Sequence, residues 1–411
     1  MLSVSPMFKL RAPTISNVPL TSESMFHSAE RLHSYLRRQH WQGGAVYGPD
    51  SGVRFNARIG RFIKGYLTAL PWSDNYAYIQ SQAYWILSNW LMLDLTGDPE
   101  FEILAVQGTD YVKAQQTAEG YWKYPNPEWK DRIATVEGCI GSLALVESYR
   151  RTGQETYLAG ADKFYQFMLS DIGFRKQSAP SMLAVNYFAG TPGEGGGVPN
   201  NSTLLLWMLG ELFDATGNPE YLEYCESMIN WLGHVQLPSG ELPYALGKTP
   251  DRDRVHFLCY QYNAFEYLDL AHYHQRTNDK SILSITERLA GYLENGFTRQ
   301  GACRYNCQKA TPEVNYYTFS LARALSHSHQ MGFTSRTVEI QKAYQRALSY
   351  QRADGGFRFF SRFNYRFLED RRSYPRNLSM ILYHLLSQIK ADRELDFNSS
   401  EGSISYSANA V

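Results

Sequence analysis

The chain has 411 residues with 40 basic and 40 acidic side chains, so its net charge of 0 offers no field to attract nucleic acid or an anionic membrane. Hydrophobic residues make up 44% and charged residues only 19%, which excludes a disordered polymer. The length points to two domains or to one large unit built from repeats.

In chain order, residues 1–21 read as an N-terminal extension. Met1-Leu2-Ser3-Val4-Ser5-Pro6 lacks a basic segment followed by a long apolar run, and no run of about 18 apolar residues occurs, so neither export nor an integral membrane segment is expected. The first helix spans Ser22 to Arg38 and opens on a Ser/Thr-type cap. Thereafter helices alternate. First helices of each pair are predicted at 73–95, 131–151, 200–215, 255–276, 313–330 and 372–390, and second helices at 99–116, 155–170, 219–235, 280–295 and 336–351. The tail from 392 to 411 is polar and is read as flexible.

Two ladders of turns set this register. Gly97, Gly153, Gly217, Asn278 and Gly332 each close a first helix and recur about every 60 residues. Offset from them, Gly120, Gly173, Gly240, Gly301 and Gly355 mark longer loops rich in aromatics at the same period. The 22–391 segment thus holds six first helices and five second helices. The N-terminal helix supplies the sixth partner by returning to the end of the chain, which closes a ring and removes the uncovered apolar ends of an open repeat array. The expected fold class is all-α, an (α/α)6 toroid of six helical hairpins.

Gln116-Thr117-Ala118-Glu119-Gly120-Tyr121-Trp122 and its looser copy Gln351-Arg352-Ala353-Asp354-Gly355-Gly356-Phe357 resemble the Gln/Gly/aromatic turns of α/α-toroid proteins. That superfamily includes six-hairpin glycosidases, toroidal polysaccharide lyases and uronyl epimerases, and terpenoid-cyclase or prenyltransferase barrels. The chain has no Asp-x-Asp-Asp, no Asp-Asp-x-x-Asp and no adjacent Cys-His pair, so the cyclase branch is supported by architecture alone. The resemblance implies a funnel at the N-terminal ends of the first helices.

Those helix starts carry a polar load. His256, Tyr260, Asn263 and Tyr267 follow i, i+4, i+7, i+11, as do Tyr78, Gln82, Trp85 and Asn89, which suggests polar stripes facing a wet cavity. The surplus of 30 tyrosines suits such a cavity. A uronate lyase or epimerase must neutralise a carboxylate and move a carbon-bound proton; His256, Tyr260, Tyr316, Asn263 and Arg372 are candidates. A hydrolase needs two carboxylates, for which Asp74, Glu137 and Glu313 are available. Asn75, Gln82, Trp85, Arg132, Asn201, Asn263, Asn315, Tyr317, Arg372 and Tyr374 complete the expected substrate-binding set. The competing reading is that these residues cap helices and tie loops together.

The functional expectation is a carbohydrate-active enzyme working on a glycan or glycosyl intermediate, with a terpenoid-cyclase-like enzyme or a non-catalytic binding scaffold as alternatives. No cofactor is expected. Cys303-x-x-x-Cys307 with Cys259 and His256 lacks the second matched pair of a zinc motif, so no metal is expected either. The five scattered cysteines do not form a disulfide framework, which fits a cytoplasmic location. Gly193-Glu194-Gly195-Gly196-Gly197 is glycine-rich without a following Gly-Lys-Ser/Thr and reads as a lid rather than a phosphate loop.

Overall fold

The computed structural model describes residues 20–407 except 54, 57–58, 71, 73, 127, 130–131, 177–180, 191–196, 247–254 and 361–369, with side chains described as far as Leu395. Most of the N-terminal extension and the glycine-rich segment at 193–196 therefore lie outside the described residues.

The elements run α1 (Ser22–Gln39), β1 (Trp41–Gln42), β2 (Ala45–Val46), α2 (Gly60–Tyr66), α3 (Ile79–Thr96), α4 (Glu100–Gln115), α5 (Thr135–Thr152), α6 (Glu155–Phe167), β3 (Phe174–Lys176), β4 (Leu183–Val185), α7 (Pro199–Thr216), α8 (Cys225–Val235), α9 (Cys259–Thr277), α10 (Leu283–Leu293), α11 (Tyr316–Gln330), α12 (Thr337–Leu348) and α13 (Pro375–Ser407). The two short strand pairs are antiparallel hairpins in the connecting loops. Among the described residues no helix is long and apolar enough to cross a membrane.

Helices α3, α5, α7, α9, α11 and α13 form the inner ring, each packed on the next, and α13 returns onto α3. Their partners α4, α6, α8, α10 and α12 lie outside, and α1 packs on α13 to complete the sixth hairpin. The predicted (α/α)6 toroid is the observed fold. Inner helices are buried on every side, as in α7, where Leu204 to Leu209 are all buried. Outer helices bury one stripe, as α1 does with Met25, Ala29, Leu32, His33, Tyr35 and Leu36.

Both ladders have local causes. Gly97, Gly153, Gly217 and Asn278 occupy the left-handed C-cap with φ of 72°, 69°, 70° and 56°. In the second ladder a glutamine spans two hairpins. The Gln116 side-chain amide donates to the carbonyls of Gly120 (2.9 Å) and of Gly160 on α6 (2.8 Å). Gln236 does the same to Gly240 (2.8 Å) and to Ile285 on α10 (3.1 Å). Gln351 bonds Gly355 and Ser28 of α1, both at 2.9 Å, and so locks the chain's last hairpin to its first helix.

Five of the six first helices start three to six residues later than predicted, while α7 starts at Pro199, one residue earlier; ahead of α3 and α5 the chain is still extended at Tyr78 and Ala134, each with ψ of 135°. The last helix runs to Ser407 rather than ending near 390. No glycine or proline interrupts it between Pro375 and Gly402, so nothing in the backbone stops it where the polar tail was expected to begin.

Candidate functional site

At the N-terminal ends of the inner ring, many of the predicted residues tie loops to helices. Gln82 in the first turn of α3 exchanges two 2.7 Å hydrogen bonds with the backbone of Val46. Asn263 of α9 makes the same reciprocal pair with Leu242, at 2.7 and 2.9 Å. Just before α11, Asn315 reaches the carbonyl of Ala347 at 3.4 Å. Trp85 is fully buried and stacks on His33. The Tyr316 hydroxyl donates to the carbonyl of Phe357 (3.1 Å), and that of Tyr374 donates to Asp370 (3.1 Å); both rings are buried. Asn201 is buried, with its side-chain NH2 unpartnered among the described residues. Arg132 is exposed and lies over the rings of Trp129 and Phe188. Asn75 sits on a rim groove of about 500 Å³ with Tyr76, Tyr111 and Lys123.

The three candidate carboxylates are also engaged. Glu313 forms a fork with Arg346 of α12 at 2.7 and 2.8 Å. Asp74 accepts from Arg372 (2.8 and 3.0 Å), Lys64 (2.6 Å) and Asn56 (3.1 Å). Burial alone would push its carboxyl up, but Arg372 and then Lys64 hold it down at about 2, so Asp74 is a fixed anion and Arg372 is already paired. Glu137, in the first turn of α5, accepts the backbone N–H of Ile79 (2.9 Å) and so caps α3 from the neighbouring hairpin. It is 1% exposed, and burial raises its carboxyl to about 7 against the pull of Arg376.

The polar stripe on α9 faces away from the axis. His256 lies before the helix, because Leu258 adopts a left-handed φ of 45° and separates it from Cys259, so its spacing to Tyr260 is not helical. Tyr260 stacks outward on Tyr292 of α10 at 5.0 Å, and the Tyr267 hydroxyl meets His327 of α11 at 3.0 Å.

The axis is lined by other residues. Arg376, in the first turn of α13, donates to both oxygens of buried Asp50 (2.6 and 3.1 Å) and to Gln80 (3.3 Å), and lies over the ring of Tyr78. The Tyr78 ring lies 4.8 Å from the guanidinium and packs edge-on against Tyr124 at 5.5 Å, and the field of Arg376 also reaches Glu137, Tyr187 and Tyr317. Tyr244 packs its ring on that of Tyr262 at 4.6 Å. These phenols are pushed up by burial and stay neutral, as hydroxyl donors and acceptors on flat rings. Of the predicted set, Glu137 and Tyr317 belong to this funnel. Tyr124, Tyr187, Tyr244, Tyr262, Asp50 and Arg376 are outside the set expected from the sequence, where the surplus of tyrosines is the one signal that points to them.

A small cavity of about 30 Å³ is lined by Tyr84, Phe265, Asp269, His272, Arg323 and His384, room for about one water. Burial lowers His272 to about 4 and His384 to about 3, raises Asp269 to about 8 and pushes Glu266 well above the usual carboxylate range. Near neutral pH Asp269, His272 and His384 are therefore uncharged, and Arg323 is the cation of this lining.

One cluster on the same end has metal-ligand chemistry. Glu241, His256, Cys259 and Cys307 place one donor atom each within 4.8 Å of one another. Cys303, the other half of the C-x3-C pair, is not part of it; its sulfur is buried against the carbonyl of Arg304.

No protein-family model matches the chain, and no curated protein sequence does. Solved structures do. A sugar epimerase from a ruminal bacterium is similar over 90% of this chain and 99% of its own, with a TM-score of 0.67 at 12% identity. A polysaccharide lyase is similar over 90% of this chain and 98% of its own (TM-score 0.63, 11% identity). A family 76 α-mannanase from Bacteroides thetaiotaomicron covers 90% of this chain and 97% of its own (TM-score 0.61, 13% identity). At these identities the likeness concerns the fold alone, and the fold that this chain shares with these structures is the α/α toroid.

Proposed function

We propose that the chain is a carbohydrate-active enzyme that binds an acidic sugar in the tyrosine-lined funnel around Arg376 and moves the proton next to the sugar's carboxylate, as a uronate lyase or epimerase does. The observation that carries this reading is the guanidinium of Arg376 over the ring of Tyr78, with Tyr124 packed on that ring and further neutral phenols within the reach of its charge. Flat rings with hydroxyl tips suit a polyhydroxylated ring, and the guanidinium N–H groups of Arg376 that Asp50 and Gln80 leave over suit a carboxylate. Pairing that carboxylate acidifies the adjacent C–H, the step both reaction types share. Glu137, with its carboxyl at about 7 and within the field of Arg376, is the group best matched by pKa to carry a proton there.

A funnel wall of hydroxyls and a guanidinium suits a sugar better than a prenyl chain, and a cytoplasmic setting is supported by five cysteines that are all free. The test is incubation with uronate oligosaccharides in deuterated water. Deuterium at the carbon beside the carboxylate, or an unsaturated uronate product, is expected from the unsubstituted chain and is lost in Arg376→Ala, while neutral glycans stay unchanged. Turnover of neutral glycans by simple hydrolysis, undiminished in Arg376→Ala, overturns the reading.

A further inference from the structure

The cluster at the start of α9 is built from three separate segments: Glu241 in the loop after α8, His256 and Cys259 at the entry to α9, and Cys307 in the loop after α10. We propose that these four side chains form a tetrahedral zinc site that pins both loops to the inner ring. The inference does not depend on the sugar reading.

The geometry is close to what zinc requires. The sulfurs of Cys259 and Cys307 are 3.6 Å apart, too far for a disulfide, while two sulfurs each ~2.3 Å from a tetrahedral zinc lie about 3.8 Å apart. His256 Nδ1 lies 3.0 and 3.1 Å from the two Glu241 oxygens, near the ~3.3 Å expected for nitrogen and oxygen ligands on one ion. Two thiolates with an imidazole are soft to borderline donors, which select zinc over magnesium or calcium. Four protein donors leave no open position, the mark of a structural site.

The surroundings support this assignment. The buried Tyr292 hydroxyl lies beside Cys259 and finds no oxygen or nitrogen acceptor among the described residues, so a thiolate there would accept it. Leu258 is held at φ 45°, a costly conformation for a bulky side chain, and it is the residue that turns His256 and Cys259 onto one point. On binding, each thiol gives one proton to solvent and the ion takes their place. His256 then serves as a ligand and not as a proton carrier.

The experiment is elemental analysis of the full chain purified without chelator, followed by exchange of the bound metal for cobalt. The expected result is one zinc per chain, lost in Cys307→Ser and in His256→Ala. The cobalt form should show a thiolate-to-cobalt charge-transfer band and the strong visible bands of tetrahedral cobalt. Should Cys259→Ser or Cys307→Ser fail to fold, the cobalt spectrum of the unsubstituted chain decides the matter. A spectrum of six-coordinate cobalt without sulfur, zinc uptake no greater than that of the folded Cys259→Ser/Cys307→Ser chain, or a Cys259–Cys307 disulfide in the protein as purified each overturns the proposal.

Discussion

Arg376 and Asp50 form a two-point ion pair at 2.6 and 3.1 Å that joins the first turn of α13 to the loop after β2. Asp50 is 1% exposed, so its charge is desolvated and depends on this partner. The pair also sets the direction of the guanidinium, whose remaining N–H groups are the donors left for a ligand.

Asp50→Ala should therefore act twice. Leaving the Arg376 charge uncompensated is expected to cost about 3 kcal/mol, read from urea unfolding. Uronate affinity should fall by about tenfold or more in the fraction that folds, because the cation is no longer oriented. Unchanged stability would mean that Asp50 does not hold Arg376.

Asp74 predicts a pH effect. Its folded pKa of about 2 lies below the ordinary 3.8, so its contribution is fully present above about pH 4 and is lost as pH falls through 2. Asp74→Asn should destabilise the protein at pH 7 by roughly 3 kcal/mol, since it breaks a buried network with Arg372 and Lys64. The deficit should shrink at pH 2, measured by denaturant unfolding at both pH values.

Much of the fold was legible because its causes are local. Gly97 and Gly153 sit where only a left-handed cap fits, and Gln116 with Gly120 encodes a clamp readable as a motif. The return of α1 to α13 followed from the unequal numbers of first and second helices. The site was less legible because both sides of an inner helix are buried, so polarity does not tell which side faces the axis. Tyr260 and Tyr262 differ by two positions; Tyr260 packs on Tyr292 of α10, and Tyr262 packs on Tyr244. Long-range pairs such as Arg376 with Asp50 leave no pattern in spacing, and neither does a cluster that takes Cys307 and leaves Cys303 in the core.

Glu137 has the opposite sign to Asp74. Its carboxyl is raised from 4.5 to about 7, so the folded state holds a proton that the unfolded chain has released. Stability from this group is present below about pH 4.5 and is lost as pH rises through 7. Glu137→Gln is expected to flatten that fall, so that the variant gains on the unsubstituted chain between pH 5 and 7.5. Parallel stability curves over that range would assign the proton to another group.

The ring closure can be tested with a matched pair of glycines. Gly355 has φ 99°, and a Cβ added there would run into the carbonyl of Arg31 on α1. Gly332 has φ 77° with nothing within 4 Å of the same position. Gly332→Ala should cost only the conformational penalty of a left-handed residue, on the order of 1 kcal/mol. Gly355→Ala carries that penalty and must also push α1 away from the loop, which strains the Gln351 bonds to Ser28 and Gly355. Its expected loss is therefore larger, and Gln351→Ala should lose about 1–3 kcal/mol by leaving those carbonyls short of a donor. Limited proteolysis gives the second readout: cleavage in the segment after α1 should rise in Gly355→Ala and Gln351→Ala but not in Gly332→Ala. Equal losses in both glycine variants would mean that the N-terminal helix is held by its apolar face on α13 and that the clamp adds little.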